Sequence, residues 1–211
     1  MIKRSLAHSY ETIAADFDRT RQSVTTELQA AADYIKAGDR VLDLGCGNGR
    51  LLKAVVAVNF DYLGIDDNGQ LLDQARRAFP RRGFSLSDIL TFDYGQNQWD
   101  VVVAVASFHH LLTPQERLQV LRSIHQSLRP SGRLLLTNWR LWQWRYLPGF
   151  FRCWTKKLAW NDAFITWNHA YPRYYHAFTQ RELSRLLRQA GFPHSQTRII
   201  RHNYLTVAVK Q

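Results

Sequence analysis

Three aspartates and a cluster of glycines stand where apolar stretches end, and their types and spacing suit the holding of a ligand. The stretch VLDLGCGNGR, Val41 to Arg50, carries Asp43 and then Gly45, Cys46, Gly47 and Gly49. Glycines at such a turn let backbone come close to a ligand and let φ turn positive. Their G-x-G-x-G spacing differs from the G-x-G-x-x-G of a pyrophosphate site, which favours a ligand with no diphosphate at this point. Asp43 offers a negative charge or an acceptor to an amino group. Asp66 follows 23 residues later, where a carboxylate accepts both hydroxyls of a ribose. Asp67 beside it either shares the ribose or is a solvated turn residue. Asp88 suits the amino group of an adenine, with Ile89 packing beside the ring. Tight turns that hold no ligand are the plainer alternative. His109 and His110 offer bases, but adjacent residues project differently, which argues against a shared metal. One of them packing beneath the ligand, or capping the next helix, is the blander reading.

These residues need elements to hold them. Val24, Leu28, Ala31, Ala32 and Ile35 recur at helical spacing, and KAGD (Lys36 to Asp39) turns the chain into the strand RVLDL. Leu51, Leu52, Val55 and Val56 line a helix. DYLGID (Asp61 to Asp66) is a second strand, and Leu71, Leu72, Ala75 and Phe79 mark a helix that Pro80 stops. GFSLSDI is a third, weaker strand. WDVVVAVAS (Trp99 to Ser107) is a fourth, apolar throughout, as a strand covered on both faces is. TPQE opens a helix: Thr113 caps it, Pro114 takes the first position and Glu116 closes a capping box. PSGRLLLTNW is a turn and a fifth strand. TQRE, Thr179 to Glu182, is a second capping box, with a helix running to Gly191. SQTRIIRH and YLTVAVK alternate on either side of Asn203 and read as a hairpin. Alternating strands and helices mean a parallel sheet with helices on both faces. The closing hairpin departs from a dinucleotide dehydrogenase, whose strands continue parallel. Residues 140–178 are crowded with aromatic and basic residues and show no clean period.

The 211 residues, 45% of them hydrophobic, suit one domain over 1–211, with an insertion or cap at about 140–178. No apolar run reaches the ~18 residues of a membrane span, and the start, MIKRSLAHSYETIAADF, reads as mature protein. Cys46 and Cys153 stand far apart without partners at metal spacing. That argues for a reducing compartment, the cytoplasm, and against a disulfide framework or zinc. Net charge is +11, and residues 139–211 hold 12 Lys+Arg against 2 Asp+Glu, so nearly the whole excess lies there. Such a field suggests a polyanionic partner, nucleic acid first and anionic membrane second. Six of the seven tryptophans lie in the same region: Trp139, Trp142, Trp144, Trp154, Trp160 and Trp167. Arg140, Arg145, Arg152, Lys156, Lys157 and Arg173 are interleaved with them. Stacking platforms beside phosphate-binding cations hold single-stranded loops. The same rings could form the core of a small lid, or a membrane-facing stripe of Phe150, Phe151, Trp154 and Leu158.

Together DLGCGNG, GIDD and SDI resemble, in order and after the right strands, the cofactor motifs of class I S-adenosylmethionine-dependent methyltransferases. The resemblance implies a Rossmann-like α/β fold: a seven-stranded, mostly parallel sheet with a C-terminal antiparallel hairpin and an aromatic, basic insertion after strand 5. Three further stretches are YETIAADFDRTR (Tyr10 to Arg21), the HHLLTPQER run, and RYYHAFTQREL (Arg173 to Leu183). They resemble the tRNA wobble-uridine (5-carboxymethyluridine) methyltransferases of the AlkB-homologue-8 type, which esterify a carboxylate on the anticodon. Carried onto this sequence, the family pattern implies that Tyr10 and Arg21 cover the methionine end of the cofactor. It implies that Ala106 and His110 floor the site and that Arg173, Tyr174 and His176 lie near the substrate. It implies S-adenosyl-L-methionine as cofactor, tRNA as partner and, for some relatives, a small zinc-binding activator subunit.

A carboxylate acceptor, with a pKa of roughly 4, is ionised at neutral pH and needs no general base. It needs a cation to hold it and partial desolvation; Arg173 or Arg140 offers a bidentate fork. A hydroxyl acceptor calls for a base in the pocket. Two other classes stay open. One is a methyltransferase for a small molecule or a quinone-type lipid, with the aromatic lid as an apolar pocket. The other is a non-catalytic RNA-binding protein on a methyltransferase scaffold, against which the intact Asp43, Asp66 and glycine set speaks.

Overall fold

A computed structural model describes residues 23–154, 159–167 and 171–211. Tyr10 and Arg21 lie outside these residues, as do the side chains of Phe151, Trp154 and Leu158. Helix α1 (Thr26–Ala32) starts at Thr25, whose hydroxyl accepts from the Leu28 N–H, and buries Leu28, Ala31 and Ala32. Strand β1 (Arg40–Leu44), helix α2 (Leu51–Ala54) and strand β2 (Asp61–Asp66) follow. Helix α3 (Gly69–Ala78), capped by Asn68, leads to β3 (Gly83–Leu86) and then β4 (Trp99–Val105). Helix α4 (Pro114–Ser127) carries the full capping box of Thr113 and Glu116, and β5 (Leu128–Trp139) succeeds it. The insertion then supplies α5 (Leu147–Trp154) and the strands β6 (Asp162–Trp167) and β7 (Tyr171–His176). Helix α6 (Gln180–Gln189) and strands β8 (Ser195–Ile200) and β9 (Asn203–Val209) close the chain.

The main sheet has seven strands in the order β3-β2-β1-β4-β5-β9-β8. The first five are parallel, and β9 runs antiparallel to both β5 and β8. From β1 the chain moves out to β2 and β3, then returns to the other side of β1 at β4. The carboxyl ends of β1 and β4 therefore flank the switch point at which such sheets bind ligands. Strand β4 shows how the sheet is held. Val101 and Val103 face a cluster with Leu28, Ala31, Leu51 and Leu52. Val102 and Ala104 face Val120, Leu121 and Ile124 of α4 and Leu183 and Leu187 of α6. Each fully buried aliphatic side chain contributes about 1.5–3 kcal/mol, so strands covered on both faces dominate the core.

Four details depart from the sequence pattern. Strand β3 stops at Leu86, because the Asp88 carboxylate accepts from the Leu90 N–H and bends the chain. The box at α6 is half made: the Thr179 hydroxyl accepts from the Glu182 N–H, but the Glu182 carboxylate turns instead to His176. The final hairpin turns at Arg201 and His202, with Arg201 at φ 51°, and Asn203 already pairs with Ile200. The insertion holds a two-stranded antiparallel sheet, β6 with β7, which forms a lid beside the main sheet. Helix α5 packs on β6 so closely that a Cβ on Gly149 would sit 2.8 Å from the Phe164 carbonyl oxygen.

Candidate active site

The turn after β1 is built from backbone. The N–H groups of Gly45 and Cys46 both donate to the Ile65 carbonyl, at 2.8 and 3.0 Å, which fastens the turn to β2. Gly45, Gly47 and Gly49 have φ of 69°, 56° and 73°. Gly45 is the tightest of them, since a Cβ there would come 2.5 Å from the Ser107 Cβ. The Ser107 hydroxyl donates to the Leu44 carbonyl at 2.6 Å and pins the end of β4 to the end of β1. Beside it Ala106 holds φ 54°, with its N–H donating to both oxygens of Thr137. Left-handed backbone at a residue with a Cβ stores strain, and such strain gathers where a chain must be aimed.

An open cleft of about 410 Å³ lies over these strand ends. Asp43, Gly45, Cys46, Gly47, Asp66, Asp67, Asp88, Ile89, Ala106, His110 and Arg173 all line it, as the sequence leads one to expect. Gly49 does not. It packs beneath Phe79, where a Cβ would meet the ring at 3.1 Å. Arg140 is not among the lining residues either; its charge acts on Tyr204 of β9.

The acids occupy one end. Asp66 is fixed by N–H donors from Gly47 (2.8 Å) and Asn68 (2.9 Å), one to each oxygen. Burial nevertheless raises its pKa to about 6 against the pull of those donors, and the charge of Asp67 adds to the rise. Asp43 is 2% exposed and accepts from the Tyr62 hydroxyl at 2.9 Å. Burial lifts its pKa to about 7; the Tyr62 hydrogen bond opposes the rise and the Asp66 charge reinforces it. Asp67 is likewise raised, by burial and then by Asp88. Such carboxylates favour a cationic, hydroxyl-bearing ligand that restores their charge.

The opposite end is aromatic and basic. Strand β7 alternates, so Arg173 and Tyr175 face the cleft while Tyr174 and His176 face away from it. Arg173 is 1% exposed. The Tyr175 ring stacks on Trp139 at 5.0 Å and 16°, and lies 4.7 Å from the His110 ring. The His110 Nδ1–H donates to the Tyr174 carbonyl at 2.8 Å, which makes Nε2 the basic nitrogen of the neutral ring. His109 accepts the Trp139 N–H on Nδ1, so its tautomer is the reverse.

Tyr174 and His176 serve the back of the lid. The Tyr174 hydroxyl lies 2.7 Å from Asp162 Oδ1 and accepts from Arg117 Nη2 at 2.9 Å. His176 lies between Asp162 and Glu182, at 2.7 Å from each. The Asn161 side-chain nitrogen lies 3.1 Å from His176 Nε2, the ring nitrogen that faces Glu182. Burial alone would raise the pKa of Glu182, but the His176 contact outweighs it and holds the group low. Arg117 also donates to the carbonyls of Leu111 and Leu112, which ties the lid to the loop after β4. The sequence reading missed Tyr62, Ser107 and Tyr175 as site residues, and named Trp139 only among the tryptophans that could stack on a base. Tyr175 stands two positions from Arg173 and so shares its face once RYYH is known to be a strand.

A family model described as a methyltransferase domain matches residues 17–194. The mouse tRNA (carboxymethyluridine(34)-5-O)-methyltransferase ALKBH8 is 30% identical over 138 residues, which are 64% of this chain and 20% of that protein. The chain thus spans about a fifth of the length of that relative. The 27-O-demethylrifamycin SV methyltransferase of Amycolatopsis mediterranei is 33% identical over 136 residues, 60% of this chain and 49% of that one. Among solved structures, an S-adenosylmethionine-dependent methyltransferase of Methanosarcina mazei superposes with a TM-score of 0.73 at 19% identity, covering 84% of this chain and 95% of that one. A Haloferax volcanii methyltransferase in complex with the Trm112 activator gives 0.69 at 16% identity, covering 95% and 96%. Acids and bare backbone gathered at the switch point suit an adenosyl sulfonium, and the family model runs through every strand that brings them there; the chain belongs to the methyltransferase-domain family and uses S-adenosylmethionine as its methyl donor.

Proposed function

We propose that this domain esterifies a carboxylate carried on tRNA, the carboxymethyl group of a wobble uridine. The observation that carries the reading is Arg173, a buried guanidinium in the cleft wall beside the stacked Tyr175 and Trp139. A fork of N–H donors suits a carboxylate, and flat rings next to it suit the base that bears it. Bound S-adenosylmethionine supplies a methyl group activated by a sulfonium, and a carboxylate oxygen takes it as the carbon–sulfur bond breaks. In this reading Asp66 holds the ribose hydroxyls, Asp88 and Ile89 the adenine, and Asp43 with the Gly45–Gly47 turn the amino-acid end. His110 and Ala106 floor the site. Arg173 aligns and desolvates the acceptor, and well-oriented reactants gain on the order of 7–11 kcal/mol. The activity of the mouse relative, shared by a yeast relative, supports this acceptor. A small activator subunit, of the kind bound by the Haloferax neighbour, belongs to the same proposal.

A small-molecule hydroxyl is the second reading. The tautomer of His110, which makes Nε2 the acceptor nitrogen of a ring in the cleft wall, and the rifamycin-modifying relative favour it. One experiment separates the two: transfer of labelled methyl to total RNA, followed by alkali. A methyl ester on tRNA gives label that alkali releases as methanol. Label that survives alkali, or RNA that takes up none with the activator present, removes the carboxylate reading.

A further inference from the structure

A second groove opens behind the lid, on the far side of β7 from the cleft. Leu112 lines both. Its floor is the network of Arg117, Asp162, His176 and Glu182, and its rim is the outer face of α6. Leu183, Leu186 and Leu187 of α6 are buried, which turns Arg181, Arg185 and Arg188 outward in one row at helical spacing. An ordinary solvated helix face mixes both signs. Here the single acid of the helix, Glu182, is drawn inward onto His176 and Asn161. Among the described residues no carboxylate pairs with the three exposed arginines; Arg188 donates only to Ser184. An aromatic ladder meets this row. Phe150 stacks on Trp142 at 4.9 Å, Trp142 lies 5.1 Å from Trp160, and Trp160 ends the ladder at the groove with 75% of its surface exposed. Trp142 is itself fixed by Phe150 and by its indole N–H, which donates to the Ala177 carbonyl at 3.1 Å, and so holds the outer ring in place.

We propose that this groove docks RNA outside the cleft: phosphates run along Arg181, Arg185 and Arg188, and an unstacked base lies on Trp160. The proposal rests on the tRNA reading above and deepens it, by giving the RNA a path from the back of the lid past Leu112 to the cleft. Cations in a row with an exposed ring beside them are the recognition pattern for looped or single-stranded RNA. An anionic membrane would use the cations but offers no flat base to stack on the exposed ring.

The test is fluorescence anisotropy of labelled total tRNA across a salt series. Replacing all three arginines by glutamine lowers affinity at least tenfold and makes the slope of log affinity against log salt shallower by about 2–3, since each lost phosphate contact removes about 0.7–0.9. Arg→Lys at the same positions restores the slope. Trp160→Ala weakens binding about tenfold at an unchanged slope. Calorimetric affinity for S-adenosylmethionine stays at the wild-type value in all of these, which also reports that they fold. Equal tRNA affinity and slope in wild type and variants, with the wild type binding tRNA, overturns the groove and leaves the tRNA reading standing. A wild type that binds no tRNA overturns both. Loss confined to anionic phosphatidylserine vesicles, with tRNA binding intact, makes the surface a membrane contact and overturns the proposal.

Discussion

The two ends of the cleft are made by different means. At the sheet end, backbone does the work: three glycines at positive φ, N–H groups aimed at one carboxylate, and strands whose register fixes where each acid emerges. At the lid end, side chains do it: rings stacked on rings, and a buried ion network behind them. A backbone site is specified by spacing along the chain and is rigid as long as the sheet holds. A side-chain site depends on partners brought from distant segments, so it is free to change acceptor while the donor site stays the same. That division accords with relatives as different in acceptor as a tRNA-modifying and a rifamycin-modifying enzyme.

Breaking the lid alone gives the largest effect. Arg117→Ala leaves Asp162 buried, with its side chain 4% exposed, and without its guanidinium. It also strips the donor from the Leu111 and Leu112 carbonyls and the Tyr174 hydroxyl, and leaving these groups unpaired costs about 3–5 kcal/mol in all, read as a lower urea midpoint. In the folded fraction, transfer falls with the lid while affinity for S-adenosylmethionine changes by less than about threefold. A parallel collapse of cofactor affinity would show that the two ends are one unit.

Arg173→Ala is the sharper cut at the same end. It lowers kcat/KM for the acceptor by about 10–150-fold, the ~1.5–3 kcal/mol of a hydrogen bond to a charged group, with cofactor affinity unchanged. Equal single-turnover rates would end its role in holding the acceptor.

The sheet end answers to pH instead. Asp43 and Asp66 titrate in the folded, cofactor-free protein at about 7 and 6, against an ordinary 3.8. Their contribution to stability is therefore fully present below about pH 4 and lost as pH rises through 6 and then 7. A cationic ligand prefers the ionised pair, so the stabilisation by saturating S-adenosylmethionine, read as a gain in Tm, should grow from about pH 5 to about pH 8, its free energy rising by up to ~1.4 kcal/mol per pH unit for each proton released. A constant gain across that range would remove the acids from the cofactor's charge. The smallest effect belongs to Ala106→Gly, which relieves the positive φ and should raise stability by about 1 kcal/mol; a loss would mean that the methyl group of Ala106 packs more than it strains.

Legibility follows the same division. Asp43, Asp66 and the glycines could be read because a parallel strand and its turn are written in consecutive residues. The capping box at Thr113 could be read for the same reason. Arg173 came only from a family resemblance, and its face-mate Tyr175 was missed. Both faces of β7 are covered, so no alternation of polar and apolar residues betrays the strand, and RYYH looks aperiodic. Asn203 drew the hairpin turn to itself because Asn suits left-handed backbone, whereas Arg201 takes that conformation without a compositional hint. Tyr62 and Ser107 act on Asp43 and Leu44 across strands, a relation that exists only once the register is set.

Glu182 belongs to α6 by sequence and to the lid by hydrogen bonding. A chimaera that exchanges the insertion for that of another methyltransferase has to carry the first turn of α6 along with it. Cut at Phe178, the transplanted hairpin would arrive without its outer counter-charge, and the recipient helix would regain a spare acid.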